Sequence, residues 1–189
     1  MDNHQMIKKL KKAGVSFAPG MSAFELDRAE NVFGFHFPKE IREFLSCGVP
    51  VGGFFFDFND TSEPNQAQFQ QFQESIVESF RFDLENNRGD MQAMLGDQLD
   101  ASQNTDSFDE AVLMYFHESV RLIPFYAHRC FFDGMDNMPI VSFWQPSDTI
   151  FYGGTFENYL EHEFMNGERV LENIAERMSE TGIWRELIG

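Results

Sequence analysis

Between Leu122 and Tyr152 the chain holds four short runs rich in Ile, Val, Phe, Tyr and Trp: Leu122 to Ala127, Arg129 to Phe132, Pro139 to Trp144 and Thr149 to Tyr152. No more than six residues separate one run from the next. A parallel crossover needs about a dozen residues or more, so the short connections favour an antiparallel meander. Asp133-Gly134 and Gln145-Pro146-Ser147-Asp148 supply turn chemistry between them. The periodic segments on either side are helical. That order predicts an α+β fold, with helices packed around an antiparallel sheet meander. At 189 residues the chain reads as a single domain, 1–189, able to bury a core without disulfides or a metal.

His4 to Lys12 reads as a short basic helix, and Pro19-Gly20 breaks the chain after it. Ser22-Ala23-Phe24-Glu25 is a capping box for a helix whose Leu26, Ala29 and Phe33 share one face. Gly34 suits the left-handed position that ends it. Phe35-His36-Phe37 is short and extended. Pro38 opens a third helix, with Ile41, Phe44 and Leu45 inward and Cys47-Gly48 at its end. A helical insertion follows over about residues 61–120. In it Phe69, Phe72, Ile76, Phe80 and Leu84 have helical spacing, and Asn86-Asn87-Arg88-Gly89 ends the helix. Asp90 to Asp106 is polar and weakly periodic, a short helix and then a loop. Another helix starts near Ser107, with Phe108, Val112, Tyr115 and Ser119 on one side.

Beyond the strands, Thr155 caps a helix with Phe156, Tyr159, Leu160 and Phe164 inward. A last helix from Glu168 gathers Leu171, Ile174, Ala175 and Met178. It would set Glu168, Glu172, Glu176 and Glu180 in one row, where each like-charge step costs roughly 0.2–0.5 kcal/mol. Charged helix faces are routine, so this row reads as a solvated face, with an acidic ridge for a basic partner as the alternative.

The segment Val49 to Asp60 has the sequence VPVGGFFFDFND. Gly52-Gly53 is a turn, and the aromatic run is an edge strand or a packed loop. Neighbours on a strand point to opposite sides, so Phe54, Phe55 and Phe56 cannot share one core. Either both sides are covered, or one ring is exposed for a partner. Phenylalanine has no polar handle, so most of the 23 rings belong in cores. Phe54, Phe55, Phe56 and Phe58 are the exceptions to watch.

Asp and Glu number 31 against 14 Lys and Arg, a formal charge of −17. Met1 to Lys12 carries +3, and Asp57 to Val120 holds 14 acids against two arginines. Nucleic acid is excluded as a partner on charge, since there is no basic surface to displace counterions from phosphates. Anionic membranes are disfavoured for the same reason. The field would instead speed encounter with a cationic partner. No apolar stretch follows Lys8 to Lys12 to make a signal peptide. The uncharged run Phe44 to Phe56, broken by Pro50, is too short to span a bilayer. Two cysteines make no disulfide framework. A cytoplasmic protein is expected.

Signals of catalysis are weak. No phosphate-cradling glycine loop and no GxSxG elbow is present. Glu161-His162-Glu163 diverge by about 100° each on a helix and cannot bind one ion together. The five histidines never fall at ligand spacing with a cysteine. A thiol nucleophile would pair Cys47 or Cys130 with His36, His117, His128 or His162. Cys130 lies in an apolar strand and reads as core, and Cys47 at a helix C-terminus meets the wrong dipole for a thiolate. The expectation is a protein that is not an enzyme, with no catalytic residue, no metal and no cofactor.

Two blocks carry a family resemblance. Met21 to Leu45, MSAFELDRAENVFGFHFPKEIREFL, is a capped helix, a Gly-hydrophobic-x-hydrophobic-Pro step and a second helix ending in Phe-Leu. Leu122 to Leu160 contains LIPFYAHRCFF and MPIVSFWQPSDTIFYGGTFENYL, an Ile-Pro strand, a Pro-containing strand, a Ser-Asp turn, a Tyr-Gly step and a closing helix. In this order of steps the chain resembles the SUKH superfamily, which includes the yeast Smi/Knr cell-wall regulator and many bacterial immunity proteins. Val49-Pro50-Val51-Gly52-Gly53 is similar to the family's Gly-x-Pro step. Many members then have a Trp-containing aromatic and acidic stretch, where this chain has Phe55-Phe56-Asp57-Phe58-Asn59-Asp60.

The resemblance implies an α+β fold and function by binding without catalysis. Its bacterial branch implies an immunity protein that neutralises a toxin by direct binding, often a nuclease that is basic where it grips phosphates. The alternative, resembling the eukaryotic branch, is a regulatory scaffold or peptide-binding module. For the immunity reading the expected partner surface is Phe55, Phe56, Asp57, Asp60 and Glu63. The expected partner of the first is a basic toxin domain.

Overall fold

The computed structural model describes residues 2–99 and 107–188. The chain opens with α1 (Asn3–Lys12), β1 (Ser16–Ala18), α2 (Ala23–Phe33), α3 (Lys39–Cys47) and β2 (Val49–Val51). Three helices follow: α4 (Glu63–Asn86), α5 (Arg88–Leu99) and α6 (Phe108–Glu118). The strands β3 (Leu122–Tyr126), β4 (Arg129–Phe132), β5 (Ile140–Ser142) and β6 (Ile150–Gly153) come next, then α7 (Phe156–Met165) and the short α8 (Ile174–Arg177) and α9 (Ile183–Leu187).

The four strands lie in the order β3-β4-β5-β6 with every pair antiparallel, as the short connections demand. β1 and β2 form a separate antiparallel pair. Side chains alternate along the strands and divide between two cores. Ile123, Phe125, Phe131 and Ile140 face one core, with Leu10, Phe33, Phe44 and Phe156 from α1, α2, α3 and α7. Leu122, Cys130, Phe132 and Val141 face the other, with Phe80, Leu95, Val112 and Trp184 from α4, α5, α6 and α9. The predicted insertion therefore builds one wall of the second core. α4 is long enough to serve both: Phe69 enters the first core, and Ile76 and Phe80 the second. Between them the Gln73 amide donates to the Leu122 carbonyl on the outer edge of β3, 2.9 Å. That bond satisfies an edge group that would otherwise invite another strand.

Local signals account for most element ends. At Ser22 both halves of the capping box form: Glu25 N–H donates to the Ser22 hydroxyl, and Ser22 N–H to the Glu25 carboxylate at 2.7 Å. Gly34 ends α2 at φ 70°. Ser107 and Thr155 cap α6 and α7 with their side chains. Asn86 ends α4 as expected, but Arg88 and Gly89 already belong to α5. The later part of the polar stretch 90–106 lies outside the described residues.

The predicted helix from Glu168 does not form. Asn166 caps α7 in the left-handed conformation, and residues 167–173 run on without helical structure to Asn173, also left-handed. Their backbone groups are taken by other elements. Asn158 on α7 donates to the Glu168 carbonyl (2.8 Å) and accepts from Val170 N–H (3.0 Å). Gly154 N–H donates to the Val170 carbonyl, 2.9 Å. A side chain at Gly154 would meet that carbonyl at 2.3 Å, so the approach needs glycine. Arg177 then donates to the carbonyls of Asn137, Gly154, Glu172 and Asn173. Helical periodicity over Glu168 to Asn173 is overruled by these tertiary bonds, and the four-glutamate row does not exist.

Candidate partner-binding surface

The aromatic run resolves into rings with different fates. Gly52 and Gly53 turn the chain at φ 82° and 61°. Phe54 to Phe56 then lie antiparallel beside the end of β3: Ala127 N–H donates to the Phe54 carbonyl (2.9 Å) and Phe56 N–H to the Phe125 carbonyl (3.0 Å). The run is thus a short edge extension, with Phe55 bridging to Tyr126. Alternation sends neighbouring rings to different places. Phe56 and Phe58 are buried among Phe33, Phe35, Phe37, Phe69 and Phe131. Phe55 is half-buried between Tyr126 and Phe164. Phe54 is 72% exposed.

Of the five residues expected at the surface, Phe56 is therefore a core residue and is inaccessible to a partner. Phe54 is the ring that reaches solvent, and Phe55 shows part of one edge. Asp57, Asp60 and Glu63 are all exposed. The two aspartates also shape their own loop. One Asp57 oxygen accepts from Asn59 N–H (3.0 Å) and Asp60 N–H (3.3 Å), and Asp60 accepts from Ser62 N–H (2.9 Å). The Ser62 N–H and hydroxyl hold the Asp60 carboxyl below its ordinary range, so it stays ionised. Asn65 ties the loop from beneath, donating to the Asp57 and Asp60 carbonyls. These bonds present fixed carboxylates on a rigid loop.

A cleft of about 290 Å³ opens beside this loop, lined by Phe54, Phe55, Gln68, Phe72 and Tyr126 among others. Across the β3–β4 turn stands Trp144, 70% exposed. The run Pro139 to Trp144 reads as a strand, yet β5 ends at Ser142 and Trp144 lies beyond it. Its signal was position: it follows β5, whose Val141 and the next residue but one, Phe143, face the second core, so Trp144 falls on the other side.

The groups considered for catalysis are dispersed. Cys130 is wholly buried, and burial pushes its thiol above the ordinary range. Cys47 is half-buried, and the imidazole nearest to it is His4, with Sγ to Nε2 at 4.0 Å, instead of His36, His117, His128 or His162. His162 Nδ1 lies 3.0 Å from the Gly167 carbonyl. Glu163 pairs with Arg129 at 3.0 Å, while Glu161 faces away to Lys9. Among the described residues no group of three or more His, Cys, Asp or Glu could hold a metal ion. No helix among them is long and apolar enough to cross a membrane.

The acidic balance is one of numbers, 31 acids against five lysines and nine arginines. Each of the nine is engaged by the chain itself. Arg42, Arg81, Arg88, Arg121, Arg129 and Arg185 pair with carboxylates. Arg28, Arg169 and Arg177 donate to backbone carbonyls. The surplus of carboxylates over guanidinium groups remains, although Arg81, Arg88 and Arg185 are themselves about half exposed. Comparison with protein-family models, with curated proteins and with solved structures finds no match to this chain.

Proposed function

We propose that this chain is a non-enzymatic immunity protein that neutralises a basic toxin domain by direct binding. The observation that carries the reading is the charge arrangement. The formal charge is −17, and six of the nine arginines are paired with carboxylates of the chain itself. A basic protein with a phosphate-gripping site is a fitting partner, because complementary fields speed encounter and an acidic loop can occupy such a site. Asp57 and Asp60 would supply fixed carboxylates, Glu63 an exposed one beside them, and Phe54 and Phe55 the neighbouring apolar contact. The resemblance to the SUKH superfamily points the same way.

The scaffold reading keeps one observation of its own. A groove along α4, lined by Phe69, Gln73, Val77, Phe116 and Arg121, could seat a peptide. Purification of the tagged chain from its native cells in low salt, followed by expression of what accompanies it, separates the readings. Immunity predicts one stoichiometric basic partner that stops growth when expressed alone and is harmless when co-expressed with this chain. Several cellular partners, none of them toxic, would replace immunity with the scaffold reading.

A further inference from the structure

Two covers meet the outer edge of β3, and they leave a gap between them. From α4, Gln73 takes the Leu122 carbonyl at 2.9 Å. Further along, Phe56 N–H donates to the Phe125 carbonyl at 3.0 Å, and Ala127 N–H to the Phe54 carbonyl at 2.9 Å. Pro124 lies in the gap. On the inner side Asp133 N–H donates to the Arg121 carbonyl at 3.0 Å, and Ile123 pairs with Phe131. Alternate residues of an antiparallel strand turn their polar groups the other way, so the Pro124 carbonyl points outward as that of Leu122 does. Proline has no N–H. The gap therefore offers an acceptor without a donor, and it does not invite a further strand. The cleft of about 290 Å³ opens here, lined by Pro124, Gln68, Phe72, Tyr126 and the Phe54–Phe56 run. The Phe54 ring centroid lies 6.2 Å from that of Tyr126, and Phe54 is 72% exposed, so an occupant of the cleft would cover part of it.

Size, walls and charge select the occupant. The volume falls just below the range of sites for drug-sized ligands, about 300–1,000 Å³, and leaves room for one large side chain. None of the lining residues is charged, so a lysine or arginine entering the cleft would lose water without gaining a counter-charge. An aliphatic or phenylalanine side chain would leave the Pro124 carbonyl covered and unpaired, which is costly. A tyrosine or tryptophan ring fills the apolar space and brings one donor at its tip. The carboxylates stand outside: Asp57, Asp60 and Glu63 are exposed on the loop that follows Phe56. Arg28 reaches the same loop, where it donates to the Asn59 carbonyl at 3.3 Å, and Arg129 beyond Tyr126 is paired with Glu163. Three acids against one arginine leave the loop negative, so basic residues flanking the ring would meet complementary charge at the rim.

We infer that this cleft receives a tyrosine or tryptophan side chain of a basic partner protein, with the ring among Phe54, Phe72 and Tyr126 and its hydroxyl or indole N–H on the Pro124 carbonyl. The inference rests on the binding reading above and gives that reading its anchor site. Aromatic side chains seated in pockets contribute much of the binding energy at protein interfaces, while the charged rim sets encounter and orientation.

Indole and 1-methylindole, which lacks the donor, are the probes. In an NMR titration of the full chain, indole should shift the Gln68 side-chain amide and the Ala127 N–H saturably. 1-Methylindole should bind about fivefold more weakly, the worth of one hydrogen bond. Phe54→Ala should weaken indole binding by about fivefold through the lost ring contact. Gln68→Trp, at an exposed position of α4, should fill the cleft and abolish the Ala127 shift. Phe24→Ala, the same change at a ring 74% exposed on α2, should bind as the parent does. No saturable shift, equal affinity for the two indoles, or unchanged binding in Gln68→Trp would each overturn the inference. The two proposals fail separately. Protection from a toxin that Gln68→Trp leaves intact refutes the cleft alone, and indole binding in the cleft of a chain with no toxic partner refutes immunity alone.

Discussion

Phe54 and Phe58 lie four residues apart in one aromatic run, and the structure assigns them opposite energetic roles. Phe58 is 1% exposed and meets Phe33, Phe35, Phe37, Phe56 and Phe131 with ring centroids between 4.9 and 6.4 Å. Removing a ring from such a site loses its transfer energy and leaves a cavity, for about 3–5 kcal/mol. Phe54 is 72% exposed. Its covered fraction is roughly 50 Å² of a ring that buries about 200 Å², worth about 1 kcal/mol at the usual area coefficient. Against a domain stability of about 5–15 kcal/mol, Phe58→Ala removes a large share and Phe54→Ala almost none. With a urea slope near 2 kcal/mol/M, the midpoints should fall by about 2 M and by no more than about 0.5 M. Urea unfolding followed by Trp184 emission in a Trp144→Phe background reads both. Equal losses for the two substitutions would refute the assignment of Phe54 to the surface.

Three further outcomes follow from particular contacts. Glu40 is half-buried on α3 and accepts from Asn137 N–H at 2.8 Å, and burial raises its carboxyl above the ordinary range. A raised acid contributes stability below its unfolded pKa and loses that contribution as pH rises through the folded value. Glu40→Gln keeps an acceptor for Asn137, so it should gain on the parent between pH 5 and pH 8 in urea unfolding; a Gln variant that falls behind at pH 8 would contradict this. Arg177 ties the non-helical segment 167–173 to the sheet through carbonyl oxygens, and its loss should cost about 2–3 kcal/mol and speed hydrogen exchange at Val170; unchanged exchange would show that Asn158 holds the segment alone. Cys130 is fully buried and Cys47 half-buried, so a thiol reagent should titrate one cysteine in the native protein and two in urea, with Cys47→Ser abolishing the native reaction.

Much of the fold is legible locally. A capping box, a glycine C-cap and a helical stripe each involve residues within about a turn or two, so Ser22, Gly34 and the Phe69-to-Leu84 face can be recognised without knowing their neighbours. Short connections restrict the strands to a meander because chain length limits where a strand can return. The amino-acid sequence by itself therefore determined an α+β chain, its capped helices, its strand order and its acidic field. Tertiary structure decided what depends on distant atoms. Residues 168–173 carry a helical pattern, yet their backbone bonds go to Asn158, Gly154 and Arg177. Burial along the Phe54–Phe58 run depends on β3 and on the rings behind it. The approach of Cys47 to His4 and the bond from Ala127 N–H to the Phe54 carbonyl join residues 43 and 73 positions apart. No local period encodes such approaches, because they are set by how the helices and the sheet pack together.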